Sequence, residues 1–178
     1  MEINAVRANT VAGSDFNMDQ LLSLLNQNLA KEMTTYYLYN ILTIYLDELE
    51  LHDIREIIDS ACARDIRHFK SLLKRIYQLS GTFPASIKEI DANLNDPAAM
   101  LSDVHLNLKE AFEKLVEVKR SSALSYTRLC TLTSGRDRRT YLLALNILNE
   151  ELELKKWFSQ FIDAKHPEIA VTIPFIKE

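Results

Sequence analysis

Apolar residues recur every three to four positions along four long stretches of the chain. This period places them on one face of an α-helix. It predicts four helices, over about residues 18–47, 52–79, 102–133 and 137–163. Gly81 and Pro84 end the second helix, and Gly135 separates the third from the fourth. Either Asn17 or Asp19 can cap the first helix.

The small number of helix-breaking residues favours an all-α fold. The 178 residues include only 3 Gly and 4 Pro, and 47% are hydrophobic, which fits one domain. Residues 82–102 are long for a turn and predict a crossover, with a short helix at 97–101. Two hairpins joined by a crossover form an antiparallel four-helix bundle in which the second and third helices run parallel. The predicted divisions are an N-terminal extension at 1–17, the bundle at 18–163 and a C-terminal tail at 164–178.

Composition and charge argue against several classes of function. A net charge of -4 leaves no basic surface for nucleic acid. No segment reaches the roughly 18 apolar residues of a membrane span, and the N-terminus lacks the pattern of a secretory signal. Cys62 and Cys130 are too few for a disulfide framework and lie roughly 20 Å apart along the predicted bundle. We therefore predict a cytoplasmic protein that binds neither nucleic acid nor membrane.

Acidic residues and one histidine interrupt three of the apolar stripes. They are Glu32 on the first helix, Asp65 and His68 on the second, and Glu151 on the fourth. Because a helix rises about 1.5 Å per residue, antiparallel residues lie level when they are equally far from their turn. Glu32 then lies level with the Asp65 and His68 pair. Glu151 lies level with Lys119, since each is 16 residues from Gly135. The acids of both hairpins therefore lie near mid-bundle.

This convergence indicates a metal site. A buried carboxylate without a partner costs several kcal/mol, so three acids and a histidine in a core need something positive to hold. Oxygen and imidazole ligands from facing helices suit iron, manganese or zinc. Taken alone, an acid or a histidine on an apolar stripe is more often a satisfied core residue or an edge residue that reaches solvent. The meeting of three stripes at one height favours the metal.

The sequence resembles the ferritin-like superfamily and, within it, the bacterioferritin-like and Dps-like branch. AKEMTTYYLYNIL matches the region of the first-helix glutamate, and DIRHFKSLLKRIYQLSGTFP looks like the second-helix carboxylate-x-x-His motif. TSGRDRRTYLLALNILNEELELKKW resembles the region from the third helix to the fourth. The resemblance covers roughly residues 19–162. It implies a ferritin-like bundle that assembles into a hollow, often dodecameric shell of identical subunits, which oxidises and stores iron.

Two ligand positions of that family's two-metal centre carry other residues in this chain. The third-helix glutamate falls on Lys119, or on Arg120 if the register shifts by one. The fourth-helix carboxylate-x-x-His motif reads Glu151 to Leu154, with leucine in place of histidine. In the family's arrangement these two positions bind the same metal. The expected result is that the Lys119 ammonium points inward and pairs with Asp65 or Glu151 where a second ion would lie.

These observations predict a Dps-like ferritin homologue, a shell-forming subunit for iron binding, iron storage or protection against oxidative stress. Its centre would be a one-metal or vestigial ferroxidase site, with two-metal turnover weak or absent. The predicted ligands are Glu32, Asp65, His68 and Glu151, holding at most one ion of iron or another divalent metal such as manganese or zinc. Two alternatives stay open: an active ferroxidase, and a structural subunit that lacks activity or co-assembles with an active homologue.

Overall fold

The computed structural model describes residues 17–93, 105–164 and 172–174. The elements are α1 (Met18–Glu48), α2 (His52–Gln78), α3 (Ile87–Ala92), β1 (His105–Asn107), α4 (Leu108–Thr133), α5 (Arg138–Asp163) and β2 (Thr172–Pro174). The predicted four-helix bundle is confirmed, with α1 packed on α2 and α4 packed on α5 as two hairpins. None of the described helices has an apolar stretch that could span a bilayer. Most of the predicted N-terminal extension and C-terminal tail lies outside the described residues.

The helix ends follow local backbone chemistry. Asn17, rather than Asp19, caps α1, because its side chain accepts a hydrogen bond of 3.0 Å from the backbone N–H three residues on. After α2 the left-handed position is taken by Ser80, with φ 55°, and the N–H groups of Ser80 and Gly81 donate to α2 carbonyls. Gly81 permits a close approach of the Leu22 side chain, whose Cδ2 would lie 2.4 Å from a Cβ at position 81.

The crossover between α2 and α4 differs from the sequence prediction. The helix predicted at 97–101 lies outside the described residues, whereas α3 forms earlier because Ser86 caps it by accepting a hydrogen bond from the N–H of Glu89. α4 begins at Leu108 and not at residue 102. The three residues before it form β1, which pairs antiparallel with β2 so that Leu106 lies opposite Ile173. The all-α bundle therefore carries one short two-stranded ribbon that was not predicted.

Two apolar clusters fill the bundle on either side of its middle. The first contains Tyr39, Ala61, Leu115, Leu154 and Phe158, among others. The second contains Leu29, Leu72, Tyr126 and Ile147, among others. On each long helix, the residues predicted to meet at mid-bundle lie in sequence between a member of the first cluster and a member of the second. These residues are Glu32, Asp65, His68, Lys119 and Glu151. Cys62 packs against the first cluster and Cys130 against the second, and both thiols are free.

Candidate metal centre

Ionisable side chains from all four long helices meet between the two apolar clusters. They are Glu32 of α1, Asp65 and His68 of α2, Lys119 of α4 and Glu151 of α5, and each is no more than 4% exposed. One ligand atom from each of the three acids and the histidine lies within 4.8 Å of all the others. The structure therefore brings together the four residues predicted as ligands.

Lys119 lies among the carboxylates of this centre. Its Nζ is 2.8 and 2.9 Å from the two carboxylate oxygens of Asp65 and 3.0 Å from Oε1 of Glu151. The neighbouring Arg120 is exposed and pairs with Glu117 at 3.0 Å. The register of α4 is therefore the one that places Lys119 inward. The prediction that its ammonium pairs with Asp65 or Glu151 is confirmed, and it pairs with both.

His68 lies between the centre and the surface of the bundle. Its Nδ1 is 3.3 Å from Oε2 of Glu32 and 3.6 Å from Oε1 of Glu151. Its Nε2 is 3.1 Å from Oε2 of Glu150, whose side chain is 37% exposed. The Tyr126 hydroxyl donates a 2.5 Å hydrogen bond to the other oxygen of Glu32. Both oxygens of the Glu32 carboxylate are thus held in place.

Sequence reasoning missed two residues that contact the centre, namely Glu150 and Tyr126. Tyr39 also lies beside the centre. The Tyr39 ring centroid lies 5.6 Å from Nζ of Lys119, and its buried hydroxyl has no hydrogen-bond partner. A signal existed for both tyrosines. Tyr39 follows Glu32 by seven residues and Tyr126 follows Lys119 by seven, which is about two helical turns on the same face. Glu150 carries no such signal, because its position next to Glu151 indicates the solvent side of α5.

Burial and opposite charges act against each other at the lysine. Burial raises the pKa of Asp65 well above its ordinary value and raises that of Glu151 as well, while the Lys119 ammonium opposes both shifts. Burial would by itself lower the pKa of Lys119, but the charges of Asp65 and Glu151 raise it well above its ordinary value. The ammonium therefore supplies positive charge that these buried carboxylates need.

His68 is the second cation of the centre. Burial alone would lower its pKa, but the hydrogen bond and charge of Glu32, with the charges of Glu151 and Asp65, raise the pKa to about 9. The imidazole is therefore protonated at neutral pH when no metal is bound. With every carboxylate ionised, the formal charges of three carboxylates, one ammonium and one imidazolium sum to minus one.

We expect the metal-free protein to lose stability as the pH rises through about 9. The histidine pKa is about 6.5 in the unfolded chain, so proton binding to His68 stabilises the fold fully below that pH. This contribution is lost as the pH rises through the folded-state value and amounts to about 3 kcal/mol at most. Urea unfolding in the presence of a chelator, at pH 6 and at pH 9.5, measures it.

The control is His68→Gln, which removes only the histidine's share of the pH dependence. It is needed because the Cys62 and Cys130 thiols, whose pKa values burial raises, are other groups that can lose a proton at alkaline pH. The difference in unfolding free energy between wild type and variant should shrink at the higher pH. Equal pH dependence in the two proteins would contradict the raised pKa of His68.

The donor atoms of the centre could hold a divalent ion. Three ionised carboxylates, one ammonium and one divalent ion sum to zero charge once His68 is neutral. The buried Oε2 of Glu151 has no hydrogen-bond partner, so it could bind an ion without losing a hydrogen bond. In the two-metal arrangement that the family resemblance implies, a second ion would share the oxygens of Asp65 and Glu151 that Lys119 contacts here. Leu154, buried in the first apolar cluster, offers no metal-binding atom. The donor set of oxygens and imidazole suits iron, manganese or zinc.

The fold and the site together define a four-helix bundle protein with a buried carboxylate–histidine centre. The family model for the Ferritin-like domain matches residues 22–165. The DNA protection during starvation protein of Pyrococcus furiosus is 38% identical over 159 residues, covering 87% of this chain and 83% of that protein. The chain belongs to the ferritin-like family and is a homologue of the Dps proteins.

Solved structures share the fold. The dodecameric thioferritin of Bacteroides fragilis, a bacterioferritin-related protein, superposes with a TM-score of 0.77 at 20% identity, covering 83% of this chain and 87% of that chain. Dps from Thermosynechococcus elongatus superposes with a TM-score of 0.73 at 14% identity, covering 81% of this chain and 90% of that one. At these identities the likeness establishes the fold alone.

Proposed function

We propose that this Dps-like ferritin homologue is a shell subunit that binds iron at one ion per chain, with Glu32, Asp65, His68 and Glu151 as ligands. The observation that carries the proposal is the position of Lys119, whose ammonium contacts two carboxylates of the centre. The ammonium of Lys119 lies where a second ion would bind, and its positive charge would repel that ion. Two-metal ferroxidase turnover should therefore be weak or absent.

The centre's own residues account for how a single ion would be held. His68 gives up its proton and offers Nδ1, the nitrogen that faces Glu32 and Glu151. Tyr126 keeps Glu32 oriented by donating to one of its oxygens, and Lys119 does the same for Asp65. When bound, iron supplies one-electron redox chemistry. The protein restricts that chemistry to one ion in a site that the bundle shields from solvent.

Assembly into a closed shell of identical subunits is part of the proposal. It is supported by the relationship to Dps proteins and by the dodecameric thioferritin that shares the fold. On the single chain, Tyr37 and Ile44 of α1 are 63% and 61% exposed, which suits a contact between subunits. We propose a dodecamer, and a homologue could take the place of some subunits. The net charge of -4 gives no support for DNA binding. The cytoplasmic localisation stays a prediction.

An oxygen-free titration with Fe²⁺ tests the proposal, after light scattering has given the mass of the assembly. We expect a shell that binds one ion per chain in this centre, and Glu32→Gln should weaken that binding because a ligand charge is lost. Two ions per chain in the titration, with rapid oxidation of Fe²⁺ once oxygen or peroxide is added, would instead establish an active ferroxidase. A monomer of 20.5 kDa at micromolar concentration would remove the shell.

A structural, non-catalytic subunit is the second candidate function, and a specific observation favours it. Without metal, Lys119 and His68 already make ion pairs or hydrogen bonds with all three carboxylates of the centre. Such a centre can hold the four helices together with no ion at all. Absence of Fe²⁺ binding in the titration, in a shell of normal mass, would support this function over iron binding.

A further inference from the structure

The centre is closed on most of its sides. The two apolar clusters lie before and after it along the bundle, and Lys119 fills its α4 side. Among the described side chains in polar contact with the five central residues, Glu150 has the only substantial exposure. Its side chain is 37% exposed, whereas that of His68, which it contacts, is 5% exposed. The α2–α5 side therefore offers the shortest polar connection from solvent to the centre.

A groove follows this side of the bundle. Its volume is about 460 Å³, and it is lined by Ser60, Ala63, Arg64, Arg67, Glu150 and Glu153. A second groove of about 290 Å³ shares Ser60, Arg64 and Glu153 with the first and extends to Leu154. The two grooves share lining residues of α2 and α5, and we call them together the α2–α5 groove. Glu150 is the groove residue that contacts the centre.

We propose that the α2–α5 groove is the entrance through which a divalent cation reaches the centre, and that Glu150 binds the cation before His68 does. The inference rests on the proposed function, because it needs an ion that binds inside. The His68 ring spans the distance: Nε2 is 3.1 Å from Glu150 in the groove, and Nδ1 is 3.3 Å from Glu32 in the centre. A cation attracted to Glu150 is therefore one imidazole ring away from the ligands.

Arg67 opposes this entry. Its Nη2 lies 3.3 Å from Oε2 of Glu150, the same oxygen that contacts His68, and its side chain is 64% exposed. The guanidinium both occupies that oxygen and repels an incoming cation. Arg64 and Glu153 make a similar pair at 2.7 Å in the same groove, but neither contacts His68. The groove thus contains two arginine–glutamate ion pairs, and only the pair of Arg67 and Glu150 contacts His68.

The on-rate of Co²⁺ to the full-length assembled protein, measured by stopped-flow absorbance, tests the entrance. Glu150→Gln should lower the second-order rate constant about tenfold, the lower end of electrostatic steering by a charged cleft. Arg67→Gln should raise it several-fold. Glu153→Gln removes the same charge from the groove without touching His68 and should have a much smaller effect. Glu113→Gln, an exposed residue of α4, is the control for net charge.

A steric variant tests the same route without changing charge. Ala63→Phe fills the α2–α5 groove and should slow Co²⁺ entry while the number of ions bound at equilibrium is unchanged. Thr131→Phe, at an exposed position of α4, is its control. Equal slowing by Glu150→Gln and Glu153→Gln, or an unchanged on-rate in Glu150→Gln, would overturn the entrance but leave the proposed function intact. A wild-type protein that binds no Co²⁺ would overturn both.

Discussion

Replacing Lys119 with methionine should lower the unfolding free energy of the metal-free protein by about 3–5 kcal/mol at pH 7. Lys119 is 1% exposed, and the two carboxylates that it contacts, Asp65 and Glu151, are fully buried. Methionine keeps much of the side chain's volume but leaves those carboxylates without their closest cation. The loss should be smaller at acid pH, because the carboxylates can then take up protons. Urea unfolding in a chelator at pH 5 and pH 7 measures both effects.

The neighbouring Arg120 provides the matched control. Its side chain is 59% exposed and pairs with Glu117 on the surface, so Arg120→Met should change stability by no more than about 0.5 kcal/mol. Added Zn²⁺ should restore more stability to Lys119→Met than to wild type, since the ion can replace the missing charge. A loss below about 1 kcal/mol for Lys119→Met would show that the lysine does not neutralise the centre.

The fold and the core of the site could be predicted because their signals lie along single helices. The acids and the histidine interrupt regular apolar stripes, and equal spacing from Gly135 is enough to place Lys119 level with Glu151. The inward position of Lys119 then follows from its place on the buried face of α4. These predictions need only helical geometry and the topology of two hairpins.

The parts that the sequence did not reveal depend on contacts between distant segments. Glu150 contacts His68 across 82 residues, and only the rotation of α5 against α2 brings an apparently exposed acid to the imidazole. Tyr126 reaches Glu32 across 94 residues. The ribbon of β1 and β2 consists of two strands of three residues, too short for an alternating pattern to show. The later start of α4 follows from the same pairing.

The arrangement is compatible with our proposal that this ferritin-like chain holds one metal ion where its family's centre holds two. A site of four carboxylates balances two divalent ions, whereas this centre has three carboxylates and one ammonium, which balance one. In our proposal, the lysine replaces both a ligand and the charge of the ion that this ligand would hold. Leucine at position 154 then joins the first apolar cluster, where a histidine would need a polar partner. The two substitutions are therefore consistent with each other.

Changing Lys119 to Glu and Leu154 to His together should raise iron binding from one ion per chain towards two, with faster oxidation of Fe²⁺ by oxygen or peroxide. The double variant has four carboxylates and two histidines at the centre, and Leu154 lies one helical turn beyond Glu151. Either change alone should do less. The glutamate without the histidine leaves the second ion short of a ligand, and the histidine without the glutamate leaves the ammonium where that ion must bind.

The control for the added histidine is Lys119→Glu combined with Leu152→His. Leu152 is 47% exposed on the same helix, whereas Leu154 is 5% exposed, so this protein gains the same side chain outside the centre. It should bind fewer ions in the centre than the first double variant and oxidise Fe²⁺ more slowly. Circular dichroism of the metal-loaded proteins checks that both keep the helical bundle. If the Lys119→Glu and Leu154→His protein folds yet still binds a single ion, then Lys119 is not what prevents the second metal from binding.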